Sequence, residues 1–175
     1  MYKLLFTLII VLPLSIFGQT KISGSKYNYS FVVPDGWHSK DKIYSPDVDT
    51  KIIDGKGNSF IVTVVTFPTS TNLTAKQQLA TTTNKALEEQ FNSIYSNTQI
   101  VKRGSVFIDS KDCYYIHLYT PFTKGSRLLH KMIYYSEGYK MMCIDACSID
   151  SYTQQTTPEF AVMVGSFKFL NLKNK

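Results

Sequence analysis

Tyr27, Tyr29, Phe31 and Val33 alternate with small polar residues, the two-residue period of a strand with one buried side. Pro34 ends that strand because proline has no N–H for the ladder. Asp35-Gly36 then supplies turn chemistry, and Trp37 lands just past the turn, where a flat ring can close over the end of a core. Residues 38–50 are polar and contain Pro46, so they read as a loop or edge segment. Ile52-Ile53, the turn "DGKGN" and the β-branched run from Phe60 to Phe67 predict a hairpin, ended by Pro68. The period then changes. Thr74-Ala75-Lys76-Gln77 fits a capping box. Leu79, Thr83, Ala86, Leu87, Phe91 and Ile94 follow at spacings of three and four, which predicts a helix ending near Ser96-Asn97. Thr81-Thr82-Thr83 weakens it by propensity, so packing must hold it.

Four strands are predicted next: Thr98 to Ile108, Cys113 to Phe122, Ser126 to Ser136 and Tyr139 to Ser148. Lys124-Gly125 and Glu137-Gly138 suit two-residue hairpin turns. A second helix follows, with Thr157 as N-cap, Pro158 at its first position and Gly165 as its stop. Two-residue turns set the register, with Thr123 opposite Ser126 and Ser136 opposite Tyr139. One face then carries His117, His130, Met132, Cys143, Asp145 and Cys147 among aromatic and apolar residues, and the other carries Ile116, Leu118, Leu129, Ile133, Ile144 and Ala146. Both faces are largely apolar, whereas a sheet with one wet face reads polar on that side. The economical architecture is an α/β (α+β) fold: an antiparallel β-sheet covered by helices on both faces, an α/β/α sandwich.

Two stretches carry a resemblance: "YSFVVPDGW" near the start of the mature chain and "PEFAVMVGSFKF" near its end. With the intervening helix and long meander, they resemble the PsbP-like family over residues 26–170. That fold is shared by an extrinsic photosystem protein, a Ran-binding protein and DcrB-like exported bacterial proteins. The resemblance implies the same antiparallel sandwich, gives Pro34, Gly36 and Trp37 a structural role, and implies mainly non-catalytic binding or scaffolding of a protein partner. No residues match those that bind manganese, calcium or Ran in particular members, so no binding site is carried over.

The start of the chain changes the setting. Lys3 precedes an apolar run from Leu4 to Phe17 that is too short for the ~20 residues of a membrane span, and Gly18-Gln19 follows. Residues 1–18 are therefore expected to be a signal peptide, and residues 19–175 a single PsbP-like domain that is exported and is periplasmic or secreted after cleavage. No later segment is apolar enough to span a membrane. The formal charge of +6 fits simple solubility, since no basic block stands out. Nucleic acid is not an expected partner, and the sequence leaves the oligomeric state open.

The candidate chemistry is sparse. In the expected register His130 opposes Asp145 with His117 diagonally beside it, a set that could hold a divalent metal or orient an acid–base imidazole. The competing reading is a self-satisfied polar group, and no cofactor is expected. Nucleophile elbows, phosphate-binding glycine loops, Cys-x-x-Cys pairs and His-Glu-x-x-His helices are absent from the sequence. A turn one residue longer would separate His117 from His130. Cys143 and Cys147 lie four residues apart in one strand, ~13 Å at ~3.3 Å per residue. A disulfide needs Cα atoms within ~7 Å. No intramolecular bridge is expected.

Overall fold

A computed structural model describes residues 20–40, 45–68 and 73–170. The signal-peptide expectation for residues 1–18 lies outside them. Among the described residues the strands form two antiparallel sheets. β1 (Thr20–Ser23), β2 (Tyr29–Val33) and the late β10 (Lys168–Phe169) make a small sheet in the order β1-β2-β10. The large sheet contains β3 (Trp37–Ser39), β4 (Val48–Asp54), β5 (Ser59–Thr66), β6 (Gln99–Ile108), β7 (Lys111–Pro121), β8 (Arg127–Glu137) and β9 (Lys140–Ile149). Its order is β3-β4-β5-β9-β8-β7-β6. The helices are α1 (Ala75–Thr81), α2 (Asn84–Asn92) and α3 (Thr153–Gly165).

The turns form as their residues dictate. Pro34 accepts a hydrogen bond from the Trp37 N–H, and Gly36 takes a φ of +81° that a side chain would resist. The Asp54 carboxylate closes the β4–β5 turn by accepting from the N–H groups of Lys56 and Asn58 and from the Asn58 side-chain amide.

The single helix expected after Thr74 is two. The capping box is present: Thr74 Oγ1 accepts from the Gln77 N–H while the Gln77 side chain accepts from the Thr74 N–H. Thr81 and Thr82 then turn their hydroxyls back onto the Gln77 and Gln78 carbonyls, and Thr82 goes extended as the C-cap. Thr83 starts the next helix by accepting from the Ala86 N–H. The threonine run is thus a break, because each hydroxyl competes for backbone groups that helix continuity needs. In α3 the expected start at Thr157 is also corrected. The helix begins at Thr153, Pro158 sits inside it, and the Thr156 and Thr157 hydroxyls donate to the Thr153 carbonyl.

Both faces of the large sheet are covered, but the cover is mixed. On one face Ala75, Leu79, Leu87, Phe91 and Tyr95 pack on Ile100, Ile116, Leu118, Met132 and Tyr134. On the other, Phe160 and Met163 of α3 share the work with Tyr29, Phe31 and Val33 of β2 and with Phe167, over Phe60, Val62, Met142 and Ile144. The helical cover expected on both faces is therefore replaced on this side by helix plus small sheet. Aromatic packing fills the gap between layers, with Phe31 stacked on Phe167 at 5.8 Å and tilted against Phe60 at 5.0 Å. Trp37 is buried and meets Phe160 edge-on at 5.5 Å. Ile94, expected inward, is 73% exposed.

The register differs from expectation at both hairpins. The β7–β8 turn holds three residues, Thr123–Gly125, so Pro121 opposes Arg127 and Leu118 opposes His130. Gly125, at φ +78°, closes it in the left-handed form that three-residue loops use. The β8–β9 turn is Gly138-Tyr139, with Glu137 opposite Lys140, a slip of two positions that preserves the faces.

Candidate functional site

The longer β7–β8 turn moves every β7 side chain to the opposite face from the one expected, since strand side chains alternate. His117 is the casualty. It opposes Lys102 and Lys131 and lies beside the Tyr115 ring, on the α3 face. Burial pushes its pKa down, and the two lysine charges add to that. His130 and Asp145 stay together on the α1–α2 face, so the expected trio of His117, His130 and Asp145 is a pair.

That pair is closed in. The slip in β9 sets Met132 opposite Asp145 and Cys147 opposite His130, leaving His130 and Asp145 diagonal. Diagonal neighbours remain within reach of long side chains, and His130 Nδ1 is 2.9 Å from Asp145 Oδ2. Thr120 Oγ1 lies 3.1 Å from His130 Nε2, Cys147 Sγ lies 3.9 Å from the same nitrogen, and the Tyr95 ring sits 5.0 Å from the imidazole. His130 is 3% exposed and Asp145 7%. Burial disfavours the charged imidazole, but the Asp145 hydrogen bond and charge, with Cys147 beside them, outweigh it. The His130 pKa rises to about 10. The imidazole therefore keeps its proton through neutral pH. Asp145 Oδ1 is buried with no protein partner. Tyr134 completes the wall and donates its hydroxyl to Met132 Sδ at 3.1 Å.

Thr120, Tyr95 and the approach of Cys147 to His130 were not readable as members of this cluster. Tyr95 does follow Phe91 at helical spacing. Thr120 joins only once β7 is turned over. The three thiols are unbridged, and burial raises the pKa of Cys113 to about 11 and that of Cys143 further. Among the described residues, no group of three or more His, Cys, Asp and Glu side chains is placed to hold a metal. Trp37, Pro34 and Gly36 form the turn described above.

A second feature opens to solvent at the far end of the molecule. Ser25–Asn28, the start of β7, the β8–β9 turn and the end of β10 enclose a cleft of about 850 Å³. Lys26, Lys111 and Lys140 line it with Glu137, Tyr27 and Phe169. Tyr27 donates its hydroxyl to Glu137 Oε2 at 2.7 Å, which holds that carboxyl below the usual range.

No family model matches the chain, and neither does any curated protein. Solved structures do. Cyanobacterial PsbP (CyanoP) from Synechocystis sp. PCC 6803 superposes with a TM-score of 0.66 at 17% identity, over 90% of this chain and 96% of that one. The fold is PsbP-like. LpqN, described as involved in cell envelope biogenesis of Mycobacterium tuberculosis, superposes at 0.50 with 10% identity, over 86% of this chain and 90% of that one. At these identities a PsbP-like likeness speaks for architecture, and the site must be argued from its own residues. Among the described residues, no helix is long and apolar enough to cross a membrane.

Proposed function

We propose that the chain is an exported, non-catalytic binding or accessory module of the PsbP-like type, contacting a protein partner in the envelope or outside the cell. The observation that carries this reading is the sealed state of His130 and Asp145. They are the groups best suited to acid–base chemistry, and they are spent on one another beneath Tyr95. A general acid or base must reach substrate. The outer surface offers contact instead: β6 ends the large sheet, and its Val101 and Phe107 are 49% and 70% exposed. The apolar run from Leu4 to Phe17, read as a signal peptide, and the envelope role printed for LpqN support export. The layered fold is read as the α/β/α sandwich with β2 sharing the third layer.

The test is cross-linking capture from the native envelope, with the wild type and a Phe107→Ser variant side by side. A partner enriched by the wild type and lost with the variant supports the reading. No enrichment over an unrelated exported protein refutes it.

The 2.9 Å His130–Asp145 contact favours a second reading, in which the pair holds a divalent metal or small ligand after Tyr95 moves aside. Metal analysis of purified wild type and His130→Ala decides. Stoichiometric metal in the wild type that the variant loses supports this reading, and metal-free wild type removes it.

A further inference from the structure

We propose that the cleft between the β8–β9 turn and the small sheet is a phosphate-binding site, with Lys111 and Lys140 as the groups that hold the phosphate oxygens. Neither ammonium hangs loose in solvent. Lys140 Nζ donates to the Lys26 carbonyl at 2.8 Å and sits 5.9 Å from the centre of the Tyr27 ring. Lys111 Nζ sits 5.6 Å from the centre of the Tyr135 ring and 3.9 Å from Glu137 Oε1. Each ammonium head is thus already placed beside an aromatic ring at the cleft wall, so less side-chain freedom is lost when an anion binds.

The charge balance within the cleft is positive. Lys26 directs its ammonium at the Pro46 and Val48 carbonyls, and Glu137 is occupied by the Tyr27 hydroxyl with Lys111 near its other oxygen. With Lys26 turned to those carbonyls, Lys111 and Lys140 are the two ammonium groups set against the Glu137 carboxylate, and Asp109, which also acts on Lys111, is paired with Lys168. An ammonium carries three donors; the one bond recorded for Lys140 uses one of them. The volume of about 850 Å³ falls within the ~300–1,000 Å³ of ligand sites, and Tyr27 and Phe169 give the cleft apolar walls.

The donor chemistry suits phosphate. The cationic lining is lysine, whose ammonium binds phosphate as a point charge. Two ammonium point charges from different strands suit a tetrahedral group with several acceptor oxygens. Tyr139, 56% exposed, and Leu170, 44% exposed, border the same lysines. Apolar groups beside cations fit either a free phosphate ester or a phospholipid headgroup.

The experiment uses the purified chain at fixed ionic strength. Inorganic phosphate and glycerol 3-phosphate are followed by amide NMR shifts of Ser25, Tyr139 and Phe169, and vesicles of phosphatidylglycerol against phosphatidylcholine by sedimentation. Lys111→Met and Lys140→Met keep most of the side-chain length while removing charge, and Lys102→Met, outside the cleft, controls for net charge. Unchanged melting temperatures confirm that the variants fold. Saturable binding that each cleft variant weakens at least tenfold and Lys102→Met leaves intact supports the site. Binding to the soluble probes identifies a free phosphate ligand, and binding to phosphatidylglycerol vesicles alone identifies a headgroup. No binding to any probe overturns the proposal, and so does equal loss in Lys102→Met. Partner capture through Phe107 is independent of this result, so the two readings fail separately.

Discussion

Replacing Asp145 with Asn keeps shape but removes the charge that holds His130 protonated. The magnitude follows from linkage. His130 rises from an ordinary value of 6.5 to about 10, and it is 3% exposed, so solvent screens the pair little. Each unit is worth ~1.4 kcal/mol, which makes the pair's contribution roughly 5 kcal/mol when fully developed. That matches the ~3–5 kcal/mol typical of breaking a buried pair. The folded state binds the proton more tightly, so the contribution is fully present below pH 6.5. It is lost as pH rises from there to about 10. Urea denaturation of wild type and Asp145→Asn at pH 6, 8 and 10 measures it. At pH 6 the variant should be several kcal/mol less stable, and the gap should close by pH 10. Burial holds the neighbouring Tyr95, Tyr134 and Cys143 well above their ordinary pKa values, and the readout is the difference between the two proteins. Parallel pH profiles would refute the assignment of the charge to His130.

Other expectations concern packing, backbone and thiols. Phe31→Ala removes a fully buried ring that stacks on Phe167 and packs tilted against Phe60, and should cost about 3–5 kcal/mol in chemical denaturation. Gly36→Ala meets no atom within 4 Å of the added methyl, so only the positive φ opposes it; about 1–2 kcal/mol should be lost from the unfolding free energy. Thr83→Ala removes the cap of α2 and should cost about 1 kcal/mol by the same measurement. Denaturing alkylation without reductant should label Cys113, Cys143 and Cys147 in one molecule, and a mass two hydrogens short would contradict the unbridged arrangement.

Much of the architecture was legible because it rests on periods. Tyr29, Phe31 and Val33 alternate and are buried, and the four long strands fall where apolar and polar residues alternate. Parity was harder to read. Phe122 to Ser126 can close as a two- or three-residue turn, and Gly125 serves either; the choice decides which side of the sheet His117 occupies. The threonine break between α1 and α2 was visible as weak propensity, yet the direction each hydroxyl takes depends on carbonyls that only the fold presents. The cluster around His130 was half legible. Asp145 survived because a slip of two preserves the face, while Thr120 arrived from the strand that had been turned over.

The bend at Thr123–Gly125 therefore acts as a length gauge for the whole molecule. Shortening it by one residue would carry Ile116 and Leu118 out of the layer beneath α1 and α2, and would carry Tyr115 and His117 in. An insertion or deletion at this bend must be answered by a second one within β7, or the two hydrophobic layers exchange partners.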